Sequence, residues 1–291
     1  MDYIYYHVAG HYFGIALSDE DLLGSLAQYE PFLVGATIPE DAAPVFLLRE
    51  ATVEPFPTVA LTVETSQDDD GSQIVVGHSA DGRSYFEFCL AGKRSARLLT
   101  DTNYREATVW LEENALFGLN NALMVMYSLA TACLGTALFH SSVVSHRGRG
   151  YMFLGKSGTG KSTHSSLWLK HIEGTELVND DNPVVRVTDD GHATVYGSPW
   201  SGKTPCYRNV GLPVGAIVSL SQAPYNRIAP LRGIAAYAAL VPSISGKRWD
   251  KRMADGLHAT ENLLAQHVGV WHLECLPDEA AALLCQTTVE Q

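Results

Sequence analysis

The run Gly155-Lys156-Ser157-Gly158-Thr159-Gly160-Lys161-Ser162 constrains this chain more than any other segment. It fits the pattern G-x-x-x-x-G-K-[ST], in which the backbone wraps around phosphate groups. Glycines let the N–H groups turn inward as an anion-binding nest. A helix that follows points its positive end at the same phosphates. Lys161 would neutralise phosphate charge, and the Ser162 hydroxyl would hold a divalent metal. The motif needs a strand before it and a helix after it. Tyr151-Met152-Phe153-Leu154 reads as a short buried strand, and residues 163–172 read as a helix with Leu167, Trp168 and Ile172 on its apolar face. Gly155 and the stretch Ser157 to Thr163 are therefore the expected phosphate contacts.

Composition bounds the rest. The 291 residues suffice for one large or two ordinary domains, and 46% hydrophobic content allows a full core. A formal net charge of −12 argues against nucleic acid or an anionic membrane surface as a partner. An acidic protein that binds a polyanion must gather its positive charge locally, which singles out Lys161. Five scattered cysteines without a C-x-x-C pair suggest reduced thiols. The start Met1-Asp2-Tyr3-Ile4-Tyr5-Tyr6-His7 lacks the basic residues and apolar run of a signal peptide, so a cytoplasmic location is expected.

Residues 114–139 carry no charge and are long enough to span a bilayer. Asn120, Asn121, Ser128, Thr131 and Thr136 interrupt the stretch, and such groups are costly in lipid. The expectation is a buried helix joining two domains, residues 1–120 and 121–291.

The first part reads as β-rich. A hairpin is expected around Ala9-Gly10, and a short helix over residues 19–29 with Ser18 as its N-cap. Further strands are expected at 45–49, 58–63, 73–76, 84–90, 96–99 and 107–111. Asp68-Asp69-Asp70-Gly71 reads as a solvated turn, because a metal site needs several converging oxygens. In the second part, strands are expected at 140–145, 176–179 and 214–220, with a hairpin of 184–187 and 193–196. Helices follow at 234–240 and 253–267, then a strand at 270–274 and a final helix with Pro277 in its first turn.

Phosphoryl transfer needs metal-binding carboxylates and a base as well as a phosphate cradle. Asp180 and Asp181 end the apolar strand of Leu177 and Val178. In a parallel sheet, that end lies beside the phosphate site. One carboxylate could hold metal while the other takes a proton from an acceptor hydroxyl; otherwise the pair belongs to an ordinary turn.

Three segments carry a family resemblance: His140-Ser141-Ser142-Val143-Val144, the glycine-rich loop, and Leu177-Val178-Asn179-Asp180-Asp181. Together they resemble the catalytic domain of bacterial HPr kinase/phosphorylase. The Ser157 to Ser162 wording is also similar to the kinase motif of ATP-dependent phosphoenolpyruvate carboxykinase, which shares that fold. The resemblance covers residues 125–291, and Tyr196 to Lys203 resembles an HPr-kinase-related branch more than either enzyme. It implies an α/β fold, with a C-terminal HPr kinase/PEP carboxykinase-like P-loop domain behind a β-rich α+β N-terminal domain. It implies ATP and Mg²⁺ as cofactors and a kinase acting on a hydroxyl. The acceptor would be a serine of a small protein or peptide, or a small metabolite. Asp180 would be the acid/base, His140 its helper, Lys161 the phosphate-binding lysine, and Ser162 and Asp181 the metal side. A homo-oligomer is implied by the same likeness.

The chain departs from the family after the second hairpin. Val195-Tyr196-Gly197-Ser198 stands where the family has a glutamate and a Glu-x-Arg-Gly stretch. Phosphorylase activity and HPr itself as substrate are therefore not implied. Lys203 and Arg208 are candidates to compensate as anion contacts, and Trp200 is expected to pack. Two other functions fit the same motifs. One is a non-catalytic ATP-binding regulator, and the other a carboxykinase-like enzyme, which would need a set of carboxylate-binding arginines.

Overall fold

The computed structural model describes residues 2–53, 61–69, 71–202 and 204–291. Thr58 to Ala60, Asp70 and Lys203, which bear on expectations above, lie outside the described residues. The architecture is mixed α/β with two large sheets, in compact units of residues 1–130 and 131–291.

The first unit begins with the expected hairpin, β1 (Ile4–Val8) and β2 (His11–Ala16), antiparallel through Val8 opposite His11. Helix α1 (Glu20–Gly24) and a 3₁₀ segment (Ala27–Phe32) lead to β3 (Leu33–Gly35) and β4 (Pro44–Glu50). A meander follows: β5 (Thr62–Asp69), β6 (Ser72–His78), β7 (Ser84–Leu90), β8 (Lys93–Thr100) and β9 (Glu106–Leu111). Among the described residues the sheet order is β3-β1-β2-β4-β9-β8-β7-β6-β5. Strand β4 is parallel to both its neighbours.

Helix α2 (Ala115–Thr131) lies on this sheet. Gly118 permits the close approach: a Cβ there would stand 2.7 Å from the Ser95 carbonyl oxygen. The Tyr127 hydroxyl donates to the Val8 carbonyl at 3.0 Å, and the Tyr29 hydroxyl donates to Asn120 Oδ1 at 2.9 Å. The uncharged stretch is thus a helix only as far as Thr131, and residues 136–138 form a strand. No helix among the described residues is long and apolar enough to cross a membrane.

Two expectations in this unit are corrected: Asp68 and Asp69, expected in a turn, belong to β5, and the short helix differs. The helix expected over 19–29 ends at Gly24 and is capped by Asp19, whose Oδ1 accepts from the Asp21 and Leu22 amides at 2.9 and 3.1 Å. Ser18 instead donates its hydroxyl to Glu50 Oε2 at 2.5 Å.

The second unit contains β10 (Thr136–Leu138), β11 (Ser141–His146), β12 (Arg149–Leu154), α3 (Lys161–His171) and β13 (Glu176–Asp181). The hairpin β14 (Val184–Val187) and β15 (Ala193–Tyr196) follows, then the long β16 (Gly211–Gln222) and β17 (Arg227–Leu231). The chain ends with α4 (Ile234–Leu240), α5 (Lys251–His267), β18 (Val270–Cys275) and α6 (Glu279–Val289). Asp278 caps α6 by accepting from the Ala281 amide at 2.9 Å, so Pro277 stays outside the helix.

The sheet order is β10-β14-β15-β16-β12-β11-β13, with β18 on β16 and β17 on β18. The early residues of β16 pair with β15, and its later residues run parallel to β12 and β18. Trp168 of α3 is fully buried among Tyr151, Phe153, Val218, Leu273 and Cys285, which joins α3 and α6 to the strands. Leu167 and Ile172 border the same cluster, as their helical spacing requires.

A parallel sheet was expected to bring the end of β13 beside the loop. Instead β11 lies between β12 and β13, antiparallel to both. Two reversals restore the direction, so β13 runs the same way as β12. Ser141 stands opposite Leu154 on one side and Asp181 on the other. One edge of the sheet therefore collects the end of β12, the start of β11 and the end of β13.

Candidate functional site

Residues 155–160 form the connection from β12 to α3. Gly158 and Gly160 have φ of 79° and 107°, values that favour glycine. Gly160 is the N-cap of α3, and no side chain caps that helix. The first-turn N–H groups thus face the loop without a side-chain acceptor, the arrangement that favours anions. The Thr159 amide donates to the Lys156 carbonyl at 3.1 Å and closes the turn.

Lys161 reaches back across this loop. Its Nζ donates to the Gly155 carbonyl at 3.0 Å and to His140 Nε2 at 2.8 Å. Burial lowers the pKa of the Lys161 ammonium, while the charges of Asp181 and Asp180 oppose that shift. His140 sits just before β11, held by its own amide donating to the Ser243 carbonyl at 2.6 Å. Its Nδ1 lies 3.1 Å from Asp181 Oδ1. With a proton on Nδ1, His140 donates to Asp181 while accepting from Lys161, giving a continuous chain of three side chains. Beside it, the Ser162 hydroxyl donates to Asp180 Oδ1 at 3.0 Å.

The two aspartates thus have different partners. Asp180 is buried and bonded to Ser162, whereas Asp181 is bonded to His140 and accepts from Asn182 Nδ2 at 2.8 Å. The resemblance implies the other division, with Asp180 beside the histidine and Asp181 beside the metal. Of the expected phosphate contacts, Gly158, Thr159, Gly160 and Thr163 line a cavity of about 620 Å³ next to α3. Gly155, Ser157, Gly158 and Thr159 line a second, of about 830 Å³, which also reaches His140.

The end of β13 is fixed by residues 198–202, whose part in holding the aspartates was not read from the sequence. Asn179 Nδ2 donates to Ser198 Oγ at 3.2 Å and to the Trp200 carbonyl at 3.3 Å. Ser198 Oγ donates to the Asn182 carbonyl at 2.6 Å and accepts from the Trp200 amide at 3.1 Å. The Gly202 amide donates to the Asp180 carbonyl at 2.8 Å. Trp200 is buried and packs, as expected. Arg208 points elsewhere: it donates to the Leu177 carbonyl and to Glu176 Oε2, both at 2.8 Å, at the end of β13 away from the aspartates.

Two further side chains touch the loop region. His164 is buried, accepts from Trp168 Nε1 at 3.1 Å, and is pulled down to about 4 by burial. It is a neutral packing residue. Gln222, at the end of β16, donates its Nε2 to the Gly158 carbonyl at 3.2 Å and to the Thr159 carbonyl at 3.5 Å. The available signal for Gln222 was a polar residue just past an apolar strand, the position where parallel sheets place ligand contacts.

The donors present suit a hard cation. Among the described residues no group of three or more His, Cys, Asp or Glu side chains is arranged to hold a metal. Ser162 Oγ and Asp180 Oδ1 together offer one hydroxyl and one carboxylate. That set fits Mg²⁺, which takes most of its remaining oxygens from phosphate and water.

No protein-family model matches the chain, and no curated protein matches it by sequence. Among solved structures the chain is similar to the HPr(Ser) kinase/phosphatase from Coxiella burnetii, at 14% identity over 52% of this chain and 93% of that one, with a TM-score of 0.29.

Proposed function

We propose that this protein binds ATP with Mg²⁺ on the loop of residues 155–162 and transfers the terminal phosphoryl group to a hydroxyl. The observation that carries the reading is the convergence of Lys161, Ser162, His140, Asp180 and Asp181 at one sheet edge, linked by contacts of 2.8 to 3.1 Å. Phosphate oxygens carry more negative charge than an imidazole nitrogen, so they draw Lys161 away from His140. His140 Nε2 is then free to accept the proton of the acceptor hydroxyl. Asp181 holds the ring by its other nitrogen and stabilises the imidazolium that forms, the arrangement expected of a general base with an orienting carboxylate. Asp180 and Ser162 form the metal side, where bound Mg²⁺ supplies charge neutralisation to the phosphates. This division differs from the one the family resemblance implies: the base role passes from Asp180 to His140, Asp181 orients the ring, and Asp180 takes the metal side.

The 830 Å³ cavity that reaches His140 is the place for the acceptor, and the 620 Å³ cavity beside Leu167, Leu220 and Pro277 suits the nucleoside. Among the described residues no arginine lines the His140 cavity. A carboxykinase, which must bind a small dicarboxylate, is therefore the poorer fit. A neutral hydroxyl compound or a serine in a peptide suits the cavity better.

The test is His140→Gln beside Asp181→Asn, with slow hydrolysis of ATP as the readout where water replaces the acceptor. General-base loss costs about 10²–10⁴-fold in rate. Hydrolysis should fall by at least the lower figure while calorimetric affinity for Mg-ATP stays within a few-fold. Unchanged hydrolysis in both variants would remove the base role.

A further inference from the structure

The loop is held from its outer side by a residue that the proposed chemistry does not use. Strand β16 runs parallel to β12 with Ser219 opposite Leu154, so it continues to Gln222 after β12 has ended. That overhang places the Gln222 amide beside the loop backbone, where Nε2 meets the carbonyl oxygens of Gly158 and Thr159. Gln222 also lines both cavities that flank the loop.

We propose that Gln222 is a positioning residue that sets the direction of the loop amides and thereby the affinity for the phosphate chain. This rests on the nucleotide reading of the loop given above. In a trans peptide the carbonyl and the next N–H point to opposite sides. Drawing the Gly158 and Thr159 carbonyls toward Gln222 turns the N–H groups of Thr159 and Gly160 away from it. The Thr159 N–H closes the turn on the Lys156 carbonyl, which leaves the Gly160 N–H as the amide that Gln222 would hold ready for phosphate. Nothing stands within 4 Å of the place where a Gly158 Cβ would be, so neighbouring side chains do not fix that residue by packing.

The chemistry requires an amide. Both loop partners are acceptors, so the side chain must donate, and near a triphosphate it must not carry negative charge. Glutamate has the same length but offers only acceptors when ionised. It would face two carbonyl oxygens and repel the phosphates.

The experiment compares wild type, Gln222→Ala and Gln222→Glu. Calorimetry measures affinity for Mg-ATP and for inorganic triphosphate, and hydrogen exchange follows the 156–160 amides of the ligand-free protein. Losing one hydrogen-bonded restraint should weaken both ligands about tenfold in Gln222→Ala. Gln222→Glu should bind more weakly still, and loop exchange should quicken in both variants with the ligand-free melting temperature unchanged. Wild-type affinity in Gln222→Glu would overturn the proposal, as would unaltered loop exchange. If wild type bound neither ligand, the nucleotide reading would fail; loop exchange would still decide whether Gln222 holds the loop.

Discussion

At the scale of single residues, Lys161 is the most sharply testable. It is half-buried, its ammonium donates to the Gly155 carbonyl and to His140, and His140 in turn meets Asp181. Lys161→Ala should weaken Mg-ATP binding at least tenfold, about 1.4 kcal/mol, the loss of one charge-assisted contact, as read by calorimetry. His164 supports a prediction about stability. Its folded value of about 4 lies below the ordinary 6.5, because burial penalises the charged ring. Between those two values the unfolded chain binds more protons than the native state. The protein should therefore lose stability as pH falls through 6.5 toward 4, by about 3 kcal/mol from this group. His164→Gln keeps an acceptor for Trp168 and should flatten that part of the curve in urea unfolding at pH 7 and pH 4.5. Lys161 and Ser162 were legible because the motif is contiguous in sequence. His140 was legible only through resemblance. Gln222 had no local signal strong enough to name it, since its reach depends on the register of β16 with β12.

At the scale of elements, alternation and turn residues placed most strands to within a few positions. The β14–β15 hairpin and α4 emerged as expected. What sequence could not supply was the order of strands. The β11–β12 hairpin joins neighbours in sequence, but the pairing of β13 with the far side of β11 does not, and that pairing brings Asp181 to His140. Helix starts shifted by one or two residues for a local reason. Asp19 and Asp278 displaced Ser18 and Pro277 because each carboxylate can accept from the first-turn amides. The clamp on β13 was equally hidden, since Ser198 makes its bonds across a turn. Ser198→Ala removes the hydroxyl that bridges Asn179, the Asn182 carbonyl and the Trp200 amide, and should cost about 1–3 kcal/mol in chemical unfolding. It should also lower ATP hydrolysis more than ATP affinity, because the aspartates lose their support while Lys161 keeps its place.

At the scale of the molecule, every residue assigned to the site belongs to the second compact unit, residues 131–291. The protein is acidic, with a formal charge of −12, yet the proposed ligand is a polyanion. Binding must then depend on a few local cations and oriented amides acting against an unfavourable overall field. The most direct test of the central claim is thermal unfolding of wild type and Lys161→Ala with and without Mg-ATP. A ligand that binds only the folded state adds about 2.7 kcal/mol at a hundred times its dissociation constant, a shift of several degrees for a domain of this size. That shift is expected in wild type, and a much smaller one in Lys161→Ala at the same concentration. Equal shifts in both proteins, or none in wild type, would contradict that claim.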